Sequence, residues 1–379
     1  MARITSIAFA TILFNFLAVA LAKAIPQVSH DVIIVGGGPA GLSALSGLSR
    51  VKRKAIMFDS QEYRNAPTRN MHDVIGNDGT PPAVFRGLAR EQISKYKTAT
   101  MVNATVQSVT PVHDEGYFRV TADGKEYTGR SVILGTGLVD ILPSTPGMTD
   151  AWGKGMYWCP WCDGYEHRDQ PLGILGPLRD AYSSVIEVRH LNTDVVIYAN
   201  GTENDEEKAV LNKKYPGWDK VLEAYNVTIN NASITSIERL RNGSVANDPK
   251  EDLQFDQFRI HFADNSTAVR NALFLNAPTV QRSHIPSQLG LGMADKKIVV
   301  GSKFNTTLPG VYAIGDANND GSTNVPHAMY SGKGAAVKIH VALAHEESAA
   351  AISKRGLEKG AWRSIGDDLE ALWKRAQSV

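Results

Sequence analysis

Hydrophobic and polar positions fall into blocks that repeat one plan twice along the chain. The run Asp31-Val-Ile-Ile-Val35 is apolar almost without interruption, the pattern of a parallel strand buried on both faces. Gly36-Gly37-Gly38-Pro39-Ala40-Gly41 follows, and small residues predict a helix from Leu42 to about Ser49. A second strand, Lys54 to Phe58, ends at Asp59. A β-rich stretch comes next, with strands predicted over Thr100–Val109, Phe118–Thr121 and Arg130–Leu134, the last leading into Gly135-Thr136-Gly137. Further on the order recurs: a strand over Pro171–Leu175, a turn over Gly176–Asp180, a helix over Ala181–His190 and a strand over Asp194–Tyr198. Near the C-terminus, Thr307 to Asp316 reads as turn, strand, glycine and acid. A last helix starts near Val325 or His327 and runs toward His345. The pattern predicts an α/β protein with two Rossmann-like nucleotide-binding domains, the second inserted in the first. At 379 residues the chain also exceeds what one compact core ordinarily serves.

The N-terminus departs from this plan. Arg3 precedes an apolar run from Ile4 to Leu21, which ends in Ala20-Leu21-Ala22 and Ala22-Lys23-Ala24. That is the charged, apolar and small-residue order of a secretory signal peptide over 1–24. A transmembrane anchor is the rival reading, but the strongly apolar part is short for a bilayer span. Asn103, Asn200, Asn226, Asn231, Asn242, Asn265 and Asn305 each stand in Asn-x-Ser/Thr without an intervening proline, which fits a glycosylated secretory protein. Hydrophobic content is 43% and net charge +1, so no nucleic-acid footprint is visible. Acidic clusters such as Asn204-Asp205-Glu206-Glu207 read as solvated surface. After cleavage of the signal, no membrane attachment is expected.

The first glycine turn carries chemistry. Gly36 makes the tight turn, Gly38 lets the backbone approach a pyrophosphate at the helix N-terminus, and Gly41 lets helix and strand pack closely. Asp59, at the end of the next strand, can bind a ribose hydroxyl.

The only two cysteines are Cys159 and Cys162, in Tyr157-Trp158-Cys159-Pro160-Trp161-Cys162-Asp163. Two cysteines at this spacing can close a small disulfide that is easily reduced and re-formed, which reads as a redox centre. A structural staple is the weaker reading, since so short a loop removes little unfolded-state entropy. No metal site is expected, because no second cysteine pair completes a zinc tetrahedron. Tyr157, Trp158 and Trp161 either pack against a small substrate or are simply buried.

The chain resembles the low-molecular-weight thioredoxin reductases over nearly all of its mature length. The resemblance rests on Gly36, Gly38 and Gly41, on Gly135-Thr136-Gly137, on Cys159-x-x-Cys162-Asp163 and on Pro309-Gly310-Val-Tyr-Ala-Ile-Gly315-Asp316. It implies a three-layer ββα fold, with an FAD domain over 25–140 and 277–379 and a central domain over 141–276. It implies FAD as cofactor, held by Gly36, Gly38, Pro39, Ala40, Gly41, Asp59, Gly135, Thr136, Gly137, Gly315, Asp316, His327 and Ala328. It further implies that Cys162 faces the flavin, that Cys159 exchanges with substrate, that Asp163 is the acid/base and that the protein is a homodimer.

Two departures from that family matter. A working NADPH turn needs Gly-x-Gly, and here Leu178 replaces the second glycine in Gly176-Pro177-Leu178. The following strand ends among Glu203, Asp205, Glu206 and Glu207, where a 2′-phosphate requires Arg or Lys. Arg179 and Arg189 compensate only in part. His327 also stands where the reductases carry glutamine, and a histidine there can take a proton from an incoming thiol. These departures resemble a fungal branch of flavin-dependent thiol oxidases. That branch includes secreted glutathione-oxidising enzymes and the dithiol oxidases of epidithiodiketopiperazine metabolites. The implied partners are a small-molecule thiol and oxygen. The alternatives are an NADPH-dependent disulfide reductase, a tailoring enzyme for a metabolite dithiol and a non-enzymatic flavoprotein.

Overall fold

The structure, a computed structural model, describes residues 25–321 and 323–355. The signal-peptide reading of 1–24 falls outside the described residues. Two α/β units make up the rest, matching the predicted architecture.

In the first unit, His30–Val35 lies between Ala55–Asp59 and Lys125–Leu134, parallel to both. Ala99–Asn103 extends the sheet on one side. Tyr117–Ala122 and Val106–Val112 leave it antiparallel on the other, and Val311–Ala313 returns to pair with Lys125–Leu134. Isoleucines and valines with no exposed surface fill both faces of the central strand, which explains its unbroken apolar run. Helix Pro39–Arg50 and the long helix Val325–Arg355 pack together on one face through Ala44, Leu45, Leu48, Ala335, Ala336 and Ile339. The single strand predicted over Thr100–Val109 is two strands, Ala99–Asn103 and Val106–Val112. Only Ala104 and Thr105 separate them, they hold different places in the sheet, and Ala104, Val106 and Val109 share a core with Ile56 and Phe58.

In the second unit five parallel strands run in the order Thr228–Asn230, Val195–Tyr198, Leu172–Leu175, Ala272–Leu275 and Met156–Tyr157. An antiparallel sheet of Ile234–Arg241, Gln257–Phe262 and Thr267–Arg270 covers it, sharing a core with Met156, Leu273 and Leu275. The chain crosses between the units twice, and the crossing strands Leu138–Asp140 and Thr279–Gln281 pair antiparallel.

One surface reading is corrected. Asn204, Asp205 and Glu206 are exposed as expected, but Glu207 is not. Asn204 caps the helix Asp205–Lys214, its side-chain oxygen accepting from Glu207 N at 2.9 Å, and Glu207 is only 5% exposed. An acidic first turn favours a helix N-terminus through the dipole. Among the described residues, no helix is long and apolar enough to cross a membrane.

Candidate active site

The carboxyl ends of the first unit's parallel strands open onto a cleft where Val35, Phe58 and Leu134 stop. Gly36 N donates to Phe58 O, Gly135 N to Val35 O and Ile314 N to Leu134 O, all within 2.9 Å. The three glycine-bearing segments named from the sequence thus meet at one sheet edge. Gly36 takes φ +114°, and a Cβ on it would lie 2.2 Å from Gly135 O, so turn and neighbour both demand glycine. At Gly41 a Cβ would stand 1.9 Å from Gly36 O, which is the close helix–strand approach expected there. A Cβ on Gly38 would meet nothing within 4 Å, and helix Pro39–Arg50 begins beside it with no side-chain cap. Open space faces an uncapped helix start, the setting an anionic pyrophosphate requires.

Gly36, Gly38, Pro39, Ala40, Gly135, Thr136, Gly137, Gly315, Asp316 and Ala328 all line the cleft. Gly41 lies behind it, in the packing between helix and turn. The Thr136 hydroxyl is buried with no hydrogen-bond partner, so a cofactor atom there would satisfy it. These features fit FAD. Asp59 is placed differently. It is 2% exposed, beneath Gly37, and its carboxylate accepts from Gln61 N at 2.8 Å, Tyr63 OH at 2.7 Å and Arg90 at 3.0 Å. Ser60, Glu62 and Tyr63, just beyond it, line the cleft in its stead.

The second unit brings the cysteines to the same cleft. Met156–Tyr157, at the edge of its sheet, delivers Trp158 and Cys159 into the one-turn helix Pro160–Asp163. Cys159 and Cys162 form a disulfide with Cα atoms 5.2 Å apart. Both are half-buried, and Cys162 with Asp163 lines the cleft wall. The three aromatics divide. Tyr157 is fully buried against Phe274 and His167, and Trp158 stacks on Trp152 at 4.7 Å and reaches the cleft. Trp161, between the two cysteines, is 67% exposed.

Asp163 is the perturbed acid of this site. Burial, with the neighbouring Glu166 adding to it, pushes its carboxyl up to about 7, against the lowering fields of His167, His72 and Arg69. A carboxyl titrating near neutrality beside a sulfur can both give and take a proton. His167 is structural: it bonds Asp163 O through Nδ1 at 2.9 Å and donates from Nε2 to Asp256 at 3.2 Å. Asp256 has no exposed surface, and its hydrogen bonds from His167, Arg69 and Gly243 outweigh burial and hold it well below the usual carboxylate range. His327 is turned to Asp320, donating from Nε2 at 2.7 Å, while Asn324, Val325 and Ala328 of its segment form the cleft wall.

Arg64 has no counterpart in the sequence reading. Its guanidinium donates to both oxygens of Asp140, at 2.9 and 2.7 Å, and to Asp316 at 2.9 Å, and it sits 5.6 Å from the Trp158 ring. It ties the cofactor strand, the interdomain crossing and the aromatic beside the disulfide together. A lone arginine in a loop gives no sequence signal for this. Arg69, from the same loop, donates to Asp256, Gln254 and Asn242 of the second unit, so this loop fastens the units to each other.

The second glycine turn is built differently. Leu178 has no exposed surface, and its N–H donates to Thr202 Oγ1 at 3.1 Å. Arg179 N donates to Glu207 Oε2 at 3.1 Å, and the Arg179 guanidinium pairs with the same carboxylate. Of the first two amides of helix Leu178–Val188, one therefore donates to a hydroxyl and the other to a carboxylate of the chain itself.

The arrangement of a glycine-turn cleft and a cysteine pair on a second α/β unit defines a disulfide oxidoreductase of the nucleotide-binding type. Residues 30–197 match the pyridine nucleotide-disulphide oxidoreductase family. A probable thioredoxin reductase of Arthroderma benhamiae is 48% identical over 92% of this chain and 92% of its own length. Thioredoxin reductase tcpT of Claviceps purpurea is 32% identical over 80% and 90%. The crystal structure of HlmI superposes with a TM-score of 0.74 at 28% identity, covering 86% of this chain and 96% of that one. The chain belongs to the thioredoxin reductase-like branch of the FAD-dependent pyridine nucleotide-disulphide oxidoreductases.

Proposed function

We propose that this protein is a secreted, FAD-dependent thiol oxidase that passes electrons from small thiols to oxygen through Cys159–Cys162. The carrying observation is the Glu207 carboxylate on Arg179 N, beside the buried Leu178. A dinucleotide pyrophosphate uses those same amides, and a carboxylate on them both fills the seat and repels phosphate. With no nicotinamide nucleotide seated in the second unit, thiols are the remaining donor to the disulfide. Secretion draws support from the sequons: six of the seven asparagines are exposed and Asn231 is half-buried.

In this reading a substrate thiolate attacks Cys159 Sγ, the disulfide breaks, and Cys162 leaves as a thiolate on the cleft side. A second substrate thiolate attacks the substrate sulfur of the mixed disulfide and releases the oxidised product and Cys159 thiolate. FAD, when bound by the glycine cleft, supplies the two-electron exchange between the dithiol and oxygen. Two thiols and one oxygen give one disulfide and one hydrogen peroxide, and Asp163 carries protons at Cys162. Trp161 offers an exposed aromatic face beside Cys159, suited to a small substrate.

The names of the relatives favour a second reading, a reductase driven by NADPH. Anaerobic mixing separates the two. The oxidase reading expects rapid bleaching of the flavin by glutathione or dithiothreitol and none by NADPH, with thiol-dependent oxygen uptake in air. Bleaching by NADPH alone overturns it.

A further inference from the structure

We propose that His72, Glu166 and Asp252 form a binding site for one divalent cation of the zinc type, bridging the two α/β units beside the redox disulfide. Their ligand atoms lie within 4.8 Å of one another. His72 comes from the loop of the first unit that also carries Arg64 and Arg69. Glu166 lies three residues after Asp163, and Asp252 sits in the turn before Leu253–Gln254, both in the second unit.

Glu166 supplies the independent observation. It is 3% exposed, and its Oε2 is buried with no hydrogen-bond partner. Its Oε1 faces His72 Nδ1 at 3.4 Å. Leaving a carboxylate oxygen buried and unmatched is costly, and a bound cation removes that cost. The surrounding charge points the same way. Asp78 Oδ1 stands 3.7 Å from the same His72 nitrogen, so three carboxylates gather around one imidazole. The Arg168 guanidinium, on this side of the molecule, is directed to the backbone oxygens of Glu251 and Asp252.

The donor set of one imidazole and two carboxylates suits zinc, which binds such atoms at about 2.0–2.2 Å and takes three protein ligands with water as a fourth. Ligand atoms around such an ion stand roughly 3.4 Å apart, so a pair at the 4.8 Å limit must close by about 1.4 Å. Asp252 is exposed and can make that movement. His72 is a wall of the cofactor cleft, so an ion here would hold the loop of the first unit against the segment that follows the cysteines. The site contains no sulfur, so the lack of a second cysteine pair does not bear on it. This inference is independent of which donor reduces the disulfide.

The test is calorimetric titration of zinc chloride into purified, tag-free protein in its disulfide form, in thiol-free buffer. That form keeps both cysteine sulfurs out of reach. The expected result is one saturable equivalent with micromolar or tighter affinity, together with a rise in Tm. Glu166→Gln, His72→Ala and Asp252→Asn should each weaken binding by about tenfold or more and abolish the Tm rise. Asp252 is exposed, so its variant keeps the test valid if substitution at buried Glu166 impairs folding. Absence of saturable uptake in the micromolar range, or unchanged affinity in Asp252→Asn, overturns the proposal.

Discussion

Replacing Asp163 by asparagine should stabilise the protein at alkaline pH while stopping turnover. The folded chain lifts this carboxyl from an ordinary 3.8 to about 7, chiefly by burial. Each pKa unit corresponds to about 1.4 kcal/mol, so the charged form carries a penalty of about 4 kcal/mol in the folded state. Because the folded value lies above the unfolded one, the folded state holds a proton that the unfolded chain has released between these values. The group's contribution is therefore greatest below pH 3.8, falls as pH rises, and levels off above about 7. Asparagine matches the protonated form and does not titrate. Parent and Asp163→Asn should melt close together at pH 4.5, and the variant should be the more stable at pH 8, by up to about 4 kcal/mol. Meanwhile turnover should fall by about 10²–10⁴, the range for loss of an acid–base group. The check is Tm of both oxidised proteins across pH 4.5 to 8.5. Parallel curves, or a variant less stable at pH 8, would show that the carboxyl is not desolvated as the structure indicates.

Three further outcomes are expected. Cys159→Ser should leave a Cys162 thiolate on the cleft side and give the flavin-loaded protein a long-wavelength absorption band. Cys162→Ser should lack the band and accumulate a mixed disulfide with substrate; parent-rate turnover in either variant contradicts the relay. Arg64→Leu strands Asp140, which is 6% exposed, and Asp316, and should cost about 3–5 kcal/mol in denaturant unfolding and loosen the cofactor, so an unchanged midpoint would refute its role as the tie. Glu207→Ala should lower Tm by removing the acceptor of Arg179 N, yet create no NADPH oxidation, because Leu178 still stands where a pyrophosphate turn needs glycine; NADPH-driven bleaching in this variant would count against the proposed loss of the nucleotide site.

What the sequence made legible followed from local rules. Gly36, Gly38 and Gly41 have fixed offsets because backbone closeness imposes them, and Val-Ile-Ile-Val ahead of them is the signature of a strand covered on both sides. Gly135 and Gly315 could be joined to them only through family resemblance, yet all three segments meet at one sheet edge. What escaped notice depends on contacts between distant segments. Arg64 finds Asp140 and Asp316 across separations of 76 and 252 residues, and no periodicity announces such partners. The burial of Glu207 was hidden because a run of acids reads as solvated until its helix and Arg179 are placed. Asp59 shows the converse. Its position at the strand end fits the nucleotide pattern, but Tyr63 and Arg90 engage its carboxylate, and only packing reveals that.

The two α/β units make the functional argument by contrast. Both present a strand, a turn and a helix, and in both the first helical amides are the feature that attracts an anion. In the first unit Gly38 leaves space above those amides and no side chain caps them. In the second, Leu178 stands in place of the glycine with its side chain in the core, and Thr202 and Glu207 take the amides. The fold accommodates a side chain in that turn, since Leu178 joins the core of the second unit. The same sheet still has work to do, because its edge strand Met156–Tyr157 sets Cys162 and Asp163 into the wall of the first unit's cleft. On the proposed thiol oxidase reading, the second unit keeps its architecture as the support of a dithiol, and reducing equivalents reach the disulfide from the solvent side, where Trp161 is exposed.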